Sequence, residues 1–106
     1  MIIDSHCHLE YEPISLALKE TIVRANNDGV KFLLTISTTD KSFKKILKIT
    51  SDFNCVYGTY GIHPHEAKNH KNIQSKDIIK KVKLSNKIIG IGETGLDFYY
   101  NHSEKK

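Results

Sequence analysis

The sequence has no tryptophan, one methionine, two prolines and, among sixteen basic residues, a single arginine, Arg24. Each shortage excludes something. Surfaces that read nucleic-acid phosphates usually recruit arginine for its bidentate fork. The net charge of +4, carried almost wholly by lysine, is therefore weak support for a nucleic-acid partner when taken alone. Cys7 and Cys55 are the only cysteines and form no CxxC pair, so a structural disulfide is not expected and both read as separate packing residues. No apolar run approaches the length of a membrane span, and Met1, Ile2 and Ile3 ahead of Asp4 are too few for the apolar stretch of a signal peptide. The expectation is a cytoplasmic protein with no membrane partner. At 106 residues and 39% hydrophobic composition, the chain is one unit, 1–106, able to bury a core.

What is present follows a regular rhythm. Met1–Asp4 is a short apolar run. From Pro13 to Asp28 the residues Ile14, Ala17, Leu18, Thr21, Ile22 and Ala25 fall at helical spacing. Pro13 suits a first helical position and Gly29 a left-handed stop. Lys31–Ser37 is near-continuously apolar, the pattern of a strand covered on both faces. Thr39 or Asp40 can cap a helix whose inward face holds Phe43, Ile46, Leu47 and Thr50. A third strand starts at Cys55, Ser75 can cap a helix with Ile78, Ile79 and Val82 inward, and "KIIGIG" from Lys87 is a fourth strand. Alternating β and α elements predict a parallel α/β sheet with helical crossovers.

The unusual polar residues cluster after strands one, three and four. In such folds the carboxyl ends of the strands open on one face, so clusters at these positions meet in space. His6 and His8, two apart on a strand, project to one side while Cys7 points away, and can converge on one cation. Glu93 is the best carboxylate to complete that site. In "GIHPHEA", Pro64 fixes the backbone between His63 and His65, and such a loop can hold a phosphate or handle protons near neutral pH. Gly90, Gly92 and Gly95 would let the backbone around Glu93 come close to its neighbours. Asp97 either orients a ligand or caps the next helix.

Together "DSHCHLE" (residues 4–10), "GIHPHEA" (61–67) and "IGETGLDFYY" (91–100) closely resemble the TatD family of metal-dependent hydrolases, in order, spacing and position. The resemblance implies a TIM (β/α)8 barrel and a deoxyribonuclease that cleaves phosphodiester bonds by two-metal hydrolysis. Carried over, His6 and His8 would bind one divalent ion (Mg, Mn or Zn) and Glu93 would bind or bridge two. His65 would lie close to the substrate phosphate and share the catalytic role with Glu93. His63 and Asp97 would contact the DNA substrate. A complete barrel takes roughly 250 residues, and the family's later ligands, two histidines and an aspartate, have no counterpart here. The expectation is the first half of a barrel, truncated after about four strands. Such a fragment is incomplete as a catalyst by itself and open to pairing with a complementary C-terminal polypeptide. Two other readings remain open: a related amidohydrolase-like phosphoesterase acting on a small molecule, and a non-catalytic half-barrel.

Overall fold

The structure, a computed structural model, describes residues 2–62 and 75–94. Four strands, β1 (Ile2–Cys7), β2 (Val30–Thr35), β3 (Val56–Tyr60) and β4 (Ile88–Ile91), pair in chain order as one sheet. Every pairing is parallel. The connections carry α1 (Leu18–Asn27), α2 (Asp40–Asp52) and α3 (Ser75–Val82). Parallel neighbours cannot be joined by a tight turn, which is why the apolar runs alternate with amphipathic helices.

The core lies between the helices and one face of the sheet. Leu33 and Val56 pack with Ile22 of α1 and Ile49 of α2, joined by Leu9 and by half-buried Cys7 and Cys55. A second cluster joins Phe43 and Ile46 of α2 to Tyr60 and Ile88, with Ile78 and Val82 of α3 against it. The Tyr60 hydroxyl, buried under α2, donates to Asp40 Oδ1 at 2.7 Å. Thr39 begins α2 with a reciprocal cap, its hydroxyl accepting from the Ser42 N–H at 3.0 Å while Ser42 Oγ accepts from the Thr39 N–H. At the far end, Lys87 Nζ donates to the carbonyls of Thr50, Phe53 and Asn54 at 3.1–3.2 Å. It thereby ties the start of β4 to the negative end of α2.

Three expectations are corrected. The segment after Pro13 is not one helix: Ile14–Ala17 is a 3-10 turn, and Ala17 (φ −131°, ψ 44°) breaks the path before α1. Ile14 is accordingly exposed rather than inward. Among the described residues the second strand is covered by helices on one face only, since α1, α2 and α3 pack on the side of Leu33 and Val56. The opposite face carries Ile3, Phe32, Leu34, Tyr57 and Ile89 around an apolar trough of about 330 Å³. In α3, Ile79 is exposed while Ile78 and Val82 face the core. Gly29 does close α1 in the left-handed region, at φ 97°, a conformation that only glycine adopts without strain.

Candidate metal centre

The carboxyl ends of β1 and β4 carry the chemistry. Between Asp4 and Cys7 strand β1 holds one residue more than β2 does, since Asp4 pairs with Leu33 and Cys7 with Thr35. Bulges of this kind re-aim side chains. Beyond it Cys7 turns to the core, its thiol 3.4 Å from the Leu34 carbonyl, and burial pushes that thiol up to about 12, with Asp4 and Glu10 adding to the effect. The thiol therefore stays protonated at neutral pH and serves packing. His6 and His8 come together edge to face, with ring centroids 5.3 Å apart.

Glu93 reaches the same point from the other side of the sheet. Its N–H donates to the Ser37 carbonyl at 2.8 Å, and the preceding Gly92 is held by the Tyr60 carbonyl (2.8 Å) and the Thr59 hydroxyl (2.8 Å). This brings Glu93 Oε2 to 3.2 Å from His8 Nε2 and 3.7 Å from His6 Nε2. One donor atom from each of the three residues lies within 4.8 Å of the others, the only group of this kind among the described residues. His6 is 58% exposed at its side chain, whereas His8 and Glu93 are three-quarters covered. The cluster opens to solvent on the His6 side.

The protonation of His8 follows from its surroundings. Nδ1 lies 3.0 Å from the Ile36 carbonyl, which can only accept, so Nδ1 carries a proton and Nε2 is the nitrogen left to bind an ion shared with Glu93. Tyr11 stacks on the ring with centroids 4.7 Å apart and planes 8° apart, and its hydroxyl meets Thr38 Oγ1 at 2.7 Å. Two imidazole nitrogens facing one carboxylate oxygen, with the ring of one held rigidly, are a donor set that fits a divalent ion of the Zn, Mn or Fe type. His63, His65 and Asp97, expected near substrate, lie outside the described residues.

Three residues at the site were not singled out from the sequence. Glu10 is 1% exposed, accepts from the Thr35 hydroxyl at 2.8 Å, and places Oε2 3.5 Å from His8 Nδ1. Its one signal was a carboxylate two residues past the HxH pair. Tyr11 has no signal beyond being aromatic. Gly61 is the third: a Cβ there would collide with the Gly92 carbonyl group and the Glu93 oxygen. At Gly90 and Gly92 a Cβ would meet only ordinary contacts, at 3.7 and 3.9 Å. The close approach expected of those two glycines belongs to Gly61.

The family described as TatD related DNase matches residues 3–106. A metal-dependent hydrolase of Buchnera aphidicola from Baizongia pistaciae is 38% identical, over 99% of this chain and 40% of its own length. A metal-dependent hydrolase of Buchnera aphidicola subsp. Acyrthosiphon pisum is 34% identical, over 99% of this chain and 43% of its own length. The crystal structure of YjjV, a TatD homolog from Escherichia coli K12, superposes with a TM-score of 0.78 at 24% identity. It covers 94% of this chain and 39% of that one. The chain thus spans about two-fifths of the length of these relatives, and its four parallel strands correspond to the N-terminal part of a TatD-type (β/α)8 barrel. With the family match running from Ile3 to the last residue, and with two imidazoles and a carboxylate meeting at the strand ends, the chain belongs to the TatD family of metal-dependent hydrolases.

Proposed function

We propose that His6, His8 and Glu93 hold a divalent metal ion in a hydrolase acting on DNA phosphodiester bonds. One observation carries the metal reading: both imidazole Nε2 atoms face the same Glu93 oxygen, at 3.7 and 3.2 Å. The DNA reading draws on the family described as TatD related DNase. The activity is proposed for the whole protein, since this chain spans about two-fifths of its relatives' length.

When bound, a divalent ion in such a site lowers the pKa of a water and neutralises charge on a phosphoryl oxygen. The chain's own residues prepare for this. His8 is held by the Ile36 carbonyl with its Nε2 lone pair available, and Tyr11 covers one face of its ring. Glu93 is set by backbone bonds on both sides of the Gly92–Glu93 peptide, so its carboxylate is delivered without depending on a flexible loop. Exposed His6 borders the side from which a phosphate enters. In a two-metal site Glu93 would be the ligand shared with a second ion.

Calorimetric titration with Mn²⁺ or Zn²⁺ tests the first half of the proposal. Three protein donors are fewer than a closed site uses, so weak binding is expected, lost in His8→Ala and Glu93→Gln. Heats unchanged in both variants would place the bound metal elsewhere. Chelator-sensitive trimming of end-labelled DNA, abolished in the same variants, supports the substrate. Metal binding without any DNA cleavage, together with turnover of a small phosphoester, would replace DNA by a small-molecule substrate.

A further inference from the structure

Glu10 is a buried carboxyl residue at this end of the sheet. It is 1% exposed, and a buried carboxylate loses its hydration unless hydrogen bonds replace it. Oε1 has such a bond, accepting from the Thr35 hydroxyl at 2.8 Å. Oε2 has none, yet it lies 3.5 Å from His8 Nδ1. Thr35 is itself fully buried, and its oxygen accepts from the Leu9 N–H at 3.1 Å. The carboxylate is therefore clamped at one oxygen and aimed at the imidazole with the other. An orphaned buried acceptor in a native fold calls for an explanation. The ring beside it supplies one.

We propose that Glu10 is a positioning residue whose carboxylate, clamped by Thr35, keeps the His8 proton on Nδ1 and the lone pair on Nε2. The Ile36 carbonyl orients the same N–H at 3.0 Å, but a carbonyl carries no net charge. The buried anion beside Nδ1 disfavours the tautomer that would set a lone pair against it, and it makes Nε2 the stronger donor. Carboxylates behind metal-binding histidines act in this way generally. In the metal-free chain Glu93 Oε2, 3.2 Å from Nε2, draws a proton to the other nitrogen, so the effect of Glu10 on the ring is read with Glu93 removed. The consequence for affinity rests on the metal reading given above.

Long-range proton–nitrogen NMR of a metal-free Glu93→Ala chain, with its histidines nitrogen-15 labelled, reads the tautomer once the carboxylate facing Nε2 is gone. His8 is expected there as the Nδ1–H form. Finding it as Nε2–H overturns the proposal. Glu10→Gln keeps the shape and the acceptor for Thr35 but turns a donor toward Nδ1. It is expected to move His8 toward the Nε2–H form in the Glu93→Ala background and, with Glu93 present, to weaken Zn²⁺ binding by about tenfold or more, measured by competition with a chelating dye. A Glu10→Gln protein with wild-type His8 signals and wild-type affinity assigns the orientation to Ile36 alone and refutes the proposal. His8→Ala serves as the separate control: undiminished Zn²⁺ binding there would reject the metal reading, while the metal-free spectra would still decide the role of Glu10.

Discussion

Replacing Gly61 by alanine tests how closely the ends of β3 and β4 are fitted. The added methyl would strike the Gly92 carbonyl carbon and oxygen and the Glu93 oxygen. These are backbone atoms, so no side chain can swing aside to relieve the clash. Overpacking of this kind costs about 1–3 kcal/mol. Separating the strand ends also weakens the Gly92 N–H bond to the Tyr60 carbonyl and the Thr59 hydroxyl bond to Gly92, each worth about 1 kcal/mol net. The combined loss is about 3–5 kcal/mol, or about 2 M in urea midpoint at an m-value of roughly 2 kcal/mol/M. The same displacement carries Glu93 away from His8, and ligand distances tolerate only about 0.2 Å. Metal affinity should fall by tenfold or more, on the order of the loss seen when a supporting residue is removed. Gly90→Ala is the control, because its Cβ would meet only Thr59 Cγ2 at 3.7 Å, and its cost should stay within about 1 kcal/mol. Urea denaturation and metal titration of both variants decide the matter. Equal midpoints and equal affinities would refute the close-approach argument.

Thr39→Ala removes the acceptor for the Ser42 N–H at the start of α2 and should cost about 1–2 kcal/mol in urea denaturation, with Thr39→Ser restoring most of it. Cys7, pushed from 9.0 to about 12 chiefly by burial, makes stability fall at high pH. Below about pH 9 the thiol is protonated in both states and its contribution is constant; between 9 and 12 the unfolded chain releases the proton while the folded chain retains it, so stability declines as pH rises through that window. A Cys7→Ser chain should show a shallower decline, and peptide mapping after brief alkylation at pH 8.5 should find Cys7 less modified than in the urea-unfolded chain.

The order of elements and the meeting of His6, His8 and Glu93 were legible because each rests on residue type and period alone. Apolar runs of strand length alternate with helical periodicity, and ligand-type residues fall just beyond those runs. The remaining features depend on partners distant in sequence. Nothing local to Glu10 reveals that Thr35 will bury it, and Gly61 matters only through the register that sets β3 beside β4. The split of the first helix was hidden because Ala17, the residue that breaks it, has the highest intrinsic helix propensity. The face of β2 that the helices take was equally hidden, since Lys31–Ser37 reads the same with one helical layer or two.

The placement of Glu93 has a consequence for how the chain folds. His6 stands on the first strand of the sheet, His8 just past its end and Glu93 just past the fourth, with β2 and β3 paired between them. Closing such a long loop is entropically costly until the intervening strands are in register. The three donors therefore assemble only after the whole sheet has formed, and a metal ion cannot act as an early nucleus. On a ribosome, no complete donor set exists until residue 93 has emerged. Added metal should consequently slow unfolding of the chain and leave its refolding rate nearly unchanged.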